Sequence, residues 1–116
     1  MNKLILTFEA KRDLYNIKSY ITNRLKNGNA ALRIVASITR ELHSLEQYPL
    51  MGRLLDSELN ELGYRVLVCG QHLAFYRFDG ETVFVDRILY GRRDYMALLF
   101  EESNQTDGEN PENDSE

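Results

Sequence analysis

The sequence predicts an α+β domain: an antiparallel sheet, made of an N-terminal strand plus a C-terminal three-stranded meander, packed against an N-terminal helix hairpin and followed by a short C-terminal helix. Three observations predict it. Apolar residues recur at spacings of three and four through residues 9–47. From Tyr64 onward they crowd instead into short runs rich in Val, Ile, Leu, Phe and Tyr. Gly-containing residue pairs separate those runs.

Each element has its own reason. Residues 3–8 are short and apolar and read as a first strand. Thr7 is placed to cap a helix by accepting from a free N–H of its first turn. Leu14, Ile17, Ile21 and Leu25 then form one apolar stripe on a helix over residues 9–26. Asn27-Gly28-Asn29 stops it, with Gly28 suited to a left-handed helix end and Asn29 to capping the next helix. The second helix, residues 30–47, carries the stripe Ala31, Ile34, Ile38, Leu42 and Leu45 and ends before Pro49. So short a link predicts an antiparallel pair. Residues 64–69, 72–78 and 82–90 read as three strands joined by two-residue turns, type II′ at Gly70-Gln71 and type I′ at Asp79-Gly80. The first strand then adds to this meander. Residues 92–100 read as the final helix, with Tyr95, Leu98 and Leu99 available to pack back.

The chain has 116 residues, 43% hydrophobic and 28% charged, which suits one domain with an ordinary core. The net charge of −4 conceals an asymmetry. Residues 1–100 hold all 14 Lys and Arg against 11 acids, while residues 101–116 hold seven acids and no cation. The expected organisation is therefore a domain over residues 1–100 and an acidic tail over 101–116, too polar to order itself. The single cysteine, Cys69, allows no internal disulfide. The apolar run near the N-terminus is too short for a signal-peptide core, and a cytoplasmic protein without membrane contact is expected.

The residues contain no metal motif, phosphate-binding loop or hydrolase elbow, so neither a metal nor another cofactor is expected. The arginines are more informative. Arg65, Arg77 and Arg87 alternate with apolar residues on the meander, and Arg92 and Arg93 follow at its end. Arginine stays charged and grips phosphate or carboxylate through paired hydrogen bonds. Arg65, Arg77, Arg92 and Arg93 on one face would form an anion-binding or target-binding surface. The competing reading is that each is solvated or pairs with Asp86, Asp94 or Glu81. His72, Tyr90 and Tyr95 are the side chains able to move a proton near this surface. On strands, histidine and tyrosine more often serve packing.

The run Arg87-Ile88-Leu89-Tyr90-Gly91-Arg92-Arg93-Asp94-Tyr95 resembles the closing strand of the RelE/ParE toxin family. Tyr48-Pro49-Leu50-Met51-Gly52-Arg53 is similar to that family's P-x-x-G-R loop, and Ala10, Asp13-Leu14, Ile17, Tyr20 and Ile21 to its first helix. The resemblance covers residues 1–100. It implies the toxin half of a type II toxin–antitoxin pair, a growth inhibitor associated with plasmid stabilisation and neutralised by a cognate antitoxin. DNA would be contacted only through that antitoxin. RelE-like members are ribosome-dependent mRNA endoribonucleases, whereas ParE-like members poison DNA gyrase. Matched position by position, Arg65 falls where the nucleases place a strand lysine and Arg93 where they place a closing arginine. Leu73 and Leu99 stand where an arginine and a tyrosine would be needed. Arginine is a poor proton shuttle, so His72 or Tyr90 would have to act as acid or base in a nuclease. The Leu98-Leu99-Phe100 ending, the long helix hairpin and the modest positive charge of residues 1–100 favour a ParE-like gyrase poison that is not an enzyme. A metal-independent nuclease and an inactive antitoxin-binding member are the alternatives.

Overall fold

The computed structural model describes residues 1–55 and 60–91. Strand β1 spans Lys3–Leu6. Thr7 then caps α1, Phe8–Ser19, its Oγ1 accepting from the Ala10 N–H at 3.2 Å. The first helix does not run unbroken to residue 26. A π-helical turn, Tyr20–Arg24, follows α1. Its wider turn breaks the spacing of three and four on which the stripe depends. Ile21 still reaches the core, but Leu25 is 58% exposed rather than buried.

The link between the helices also differs from expectation. Lys26, not Gly28, takes the left-handed conformation, with φ of 54°. Asn27 caps the second helix through its Oδ1, 3.0 Å from the Ala30 N–H. Helix α2 therefore runs Gly28–His43, with a 3₁₀ turn at Ser44–Glu46 before Pro49. Its expected stripe holds: Ala31, Ile38, Leu42 and Leu45 are buried.

The sheet has five strands in the order β1-β5-β4-β3-β2, with β2 at Arg53–Leu54, β3 at Arg65–Cys69, β4 at His72–Phe78 and β5 at Thr82–Tyr90. The meander β3-β4-β5 is antiparallel as expected. Strand β1 joins the meander but runs parallel to β5, from Lys3↔Thr82 to Leu6↔Val85, so the sheet is mixed. Apolar alternation fixes which face a strand buries, not its direction. The parallel ladder continues past β1 at Thr7, whose N–H donates to the Val85 carbonyl and whose hydroxyl donates to that of Asp86.

Gly70 has the positive φ (66°) that the first position of a type II′ turn requires. At the second hairpin the corner falls one residue late. The Asp79 N–H donates to the Thr82 carbonyl, and the Asp79 carboxylate accepts from the N–H groups of Glu81 and Thr82. Gly80 and Glu81 thus make the corner, and Gly80 carries the positive φ there (97°). A side chain that hydrogen-bonds the turn's own backbone has displaced the expected type I′ turn.

The helices cover one sheet face. Ala10, Ile38, Leu42 and Leu45 pack there on Leu67, Ala74, Tyr76, Val83, Val85 and Ile88. A second cluster of Leu55, Val66, Phe75 and Leu89 lies on the other face. No helix among the described residues is long and apolar enough to cross a membrane. The expected C-terminal helix, with Arg92, Arg93 and Tyr95, and the acidic tail lie outside the described residues.

Candidate functional site

The meander register decides whether its arginines act together. Arg65 lies opposite Tyr76, whose ring belongs to the helix-side cluster. Arg77, next along β4, therefore falls on the other face. There its guanidinium grips Asp86 through two hydrogen bonds of 2.7 and 3.1 Å and lies 5.0 Å from the centre of the Phe84 ring. The Tyr64 hydroxyl donates to the same carboxylate at 2.9 Å. Burial, and then the hydrogen bond to Asp86, push the Tyr64 phenol up to about 12. The Asp86 hydrogen bond also raises the Arg77 guanidinium above its ordinary value.

Arg65 is held differently. It donates to the backbone carbonyls of Gly52 at 2.8 Å and Leu50 at 3.3 Å. The same loop donates back, from the Gly52 N–H to the Tyr76 hydroxyl at 2.8 Å. Arg87 pairs with Asp13 of α1 at 2.8 and 3.1 Å. Of the expected anion-binding set, Arg65 and Arg77 thus point to opposite faces and are engaged within the fold. Arg92 and Arg93 lie outside the described residues.

His72 and Tyr90 do come together. They face each other across β4 and β5, with ring centres 5.7 Å apart and planes at 62°. Burial lowers the His72 imidazole below its ordinary value. The Tyr90 hydroxyl is 3.4 Å from the Gln71 amide oxygen. Arg65 does not join them. It lies opposite Tyr76 while His72 lies opposite Cys69, roughly 13 Å apart along the strands at ~3.3 Å per residue.

His72, Tyr90 and Gln71 instead form one wall of a groove of about 760 Å³ between the sheet end and the helix hairpin. The opposite wall includes Ile17, Tyr20, Leu25 and Ile34. Tyr20 and Leu25 stand at its rim, 53% and 58% exposed. The groove is mainly apolar with a few polar groups, a composition that suits a docked side-chain stripe better than a highly charged ligand. Among the described residues no cluster of His, Cys, Asp and Glu could hold a metal ion.

The family model of the ParE toxin of the type II toxin–antitoxin system parDE matches residues 4–95. The chain belongs to this ParE toxin family. Solved structures agree with the assignment. The chromosomal ParDE system from P. aeruginosa is 27% identical, with a TM-score of 0.66, over 78% of this chain and 96% of that one. The RelBE2 toxin–antitoxin complex from Mycobacterium tuberculosis is 25% identical, with a TM-score of 0.59, over 77% of this chain and 96% of that one. No curated protein sequence matches.

In this ParE-family toxin, sequence reasoning missed the part played by Asp13. Its carboxylate accepts from the Ile88 N–H at 2.8 Å as well as from Arg87. Strand β1 stops pairing at Val85, and Asp13 supplies the acceptor that an adjacent strand would have offered. The available signal was an acid among the apolar residues of an amphipathic helix, one turn before Ile17. Strand β2 was also missed, because two residues carry no readable period.

Proposed function

We propose that this toxin arrests growth by binding a protein target, DNA gyrase, and that a cognate antitoxin silences it. The carrying observation is the ParE family model over residues 4–95. The engagement of the sheet arginines supports the same reading. Cleaving RNA without a metal requires positive charge beside an acid and a base. In the described residues Arg77 is neutralised by Asp86, Arg87 by Asp13, and Arg65 serves the loop at residues 50–52. The His72–Tyr90 pair stands apart from Arg65, four residues away along the strands.

An antitoxin has two features to use. One is the open groove with Tyr20 and Leu25 at its rim. The other is the β3 edge beyond β2, where Val68 is 62% exposed. A partner with a helical apolar stripe and an extended segment fits both. Both neighbouring structures bear the names of toxin–antitoxin systems.

A ribosome-dependent endoribonuclease is the second reading, favoured by the RelBE2 likeness and by the His72–Tyr90 pair. The test is a supercoiling assay with purified toxin, run beside primer extension on translated mRNA. Inhibition of gyrase without new message ends is expected. Intact supercoiling with cuts inside codons overturns the proposal in favour of the nuclease. Growth on induction, with and without the protein from the neighbouring reading frame, tests the antitoxin.

A further inference from the structure

Most of the positive charge not paired with an acid among the described residues lies on the helices. Between Phe8 and His43 the chain carries seven Lys and Arg against three acids, and one of those acids, Asp13, is buried against Arg87. Residues 44–91 carry four Arg against seven acids. Lys11, Arg12, Lys18, Arg24 and Lys26 are all exposed, and none pairs with an acid among the described residues. Phe8, Lys11, Arg12 and Tyr15 follow at spacings of three and four and share one outer face of α1. Arg12 lies 5.9 Å from the centre of the Phe8 ring, and Arg24 lies 5.7 Å from that of Tyr20. Stacking of this kind holds the guanidinium groups against the surface while leaving their N–H edges to solvent.

We propose that the acidic segment 101–116 of this same chain covers that outer face at low ionic strength, its carboxylates set against Lys11, Arg12, Lys18 and Arg24. Charge complementarity is the first argument: seven acids without a single cation in the segment meet a helix layer of opposite sign. Reach is the second. Gly91, the last described residue, donates to the Gln71 carbonyl at 2.9 Å. Gln71 and Tyr90 line the groove whose far wall holds Tyr20 and Leu25, next in sequence to Arg24 and Lys26. Residues 92–100 span roughly 14 Å as the expected helix and up to roughly 30 Å extended, and the 16 residues beyond them add their own reach along α1, about 18 Å long. Tethering is the third. A segment joined by a short linker acts at an effective concentration on the order of millimolar, so weak attractions suffice. An acidic or phosphate-bearing partner that approaches the helix face has to displace the segment first. The inference rests on charge and connectivity, and stands whether the target is gyrase or the ribosome.

Nuclear magnetic resonance of the full chain with a nitroxide attached at Ser115→Cys tests this. Cys69 is 3% exposed, and burial pushes its thiol up to about 12, so the label goes to the new site alone. In about 25 mM NaCl the amides of residues 8–26 should lose more than half of their intensity. In about 1 M NaCl, where the screening length falls to ~3 Å, they should recover it. Lys11→Glu with Lys18→Glu should abolish the loss. Should that variant misfold, replacing the seven acids of residues 101–116 by their amides should abolish it and leave the body untouched. Undiminished amides at low salt, losses confined to residues 44–91, or losses that persist unchanged in high salt would each overturn the proposal.

Discussion

At the residue scale, one carboxylate, Asp13, ties the helix layer to the sheet. Asp13 and Arg87 are 11% and 17% exposed as side chains, and Asp13 also takes the Ile88 N–H. Removing one member of such a pair leaves a buried charge without its partner, which costs about 3–5 kcal/mol. Asp13→Ala should therefore lower the unfolding free energy by about that amount, read from urea denaturation, while Leu25→Ala at the exposed rim should change it by less than ~0.5 kcal/mol. Tyr64 sets a different limit, through its burial and its hydrogen bond to Asp86. The folded phenol ionises near 12, against about 10 for a tyrosine in the unfolded chain. Above pH 10 the unfolded chain has released this proton and the folded one has not. The contribution is fully present below pH 10 and is lost as pH rises from 10 to 12. Ultraviolet titration should show late-ionising tyrosines, because burial raises Tyr76 as well, and one of them should disappear in Tyr64→Phe. A titration curve identical in the two proteins would contradict this account.

At the element scale, the loop from Tyr48 to Arg53 is stitched to the sheet, and the stitch explains its glycine. A Cβ at Gly52 would lie 2.6 Å from the Tyr76 hydroxyl and 2.8 Å from the Val66 carbonyl. Tyr76 is fully buried and bonded to the Gly52 N–H, so neither neighbour can yield cheaply. Gly52→Ala should cost about 1–3 kcal/mol by overpacking. Its thermal midpoint should fall by several degrees, and an unchanged midpoint would show that the loop is not held in this way. The P-x-x-G-R pattern was readable in the sequence, but its reason was not, because Tyr76 is 24 residues away. The same division runs through the fold. Periodicity located the helix pair and the meander, since burial of one face is a local property of the pattern. It did not foresee the π-helical turn, the left-handed Lys26, the parallel direction of β1 or the two-residue β2, each settled by contacts distant in sequence or by too few residues. The site fared similarly. Arg65, Arg77, His72 and Tyr90 were singled out by type, but strand parity and a bulge near Tyr76, where Val85 and Arg87 face successive β4 residues, decided which of them meet.

At the scale of the whole molecule, the hairpin and the sheet meet closely at one end and part at the other. Near β1 the layers are joined by Thr7, Asp13 and the Asn2 N–H, which donates to the Glu46 carbonyl at 2.8 Å. At the opposite end the π-helical turn carries Tyr20 and Leu25 away from the core, and the gap between them and the His72–Tyr90 pair is the groove. On the proposed function, the half-exposed Tyr20 and Leu25 at the groove rim are the apolar surface a partner would cover. A tyrosine buried at the centre of an interface commonly contributes about 2 kcal/mol or more, and an exposed leucine that becomes buried about 1.5 kcal/mol. Tyr20→Ser with Leu25→Ser should thus weaken antitoxin binding by roughly several hundredfold, since each 1.4 kcal/mol is tenfold. Neither side chain is part of the buried core, so the thermal midpoint should barely move. Titration calorimetry of the variant against its antitoxin reads the first quantity and a melting curve the second. Unchanged affinity would place the antitoxin on the β3 edge alone, beside Val68, and leave the groove without a role in neutralisation.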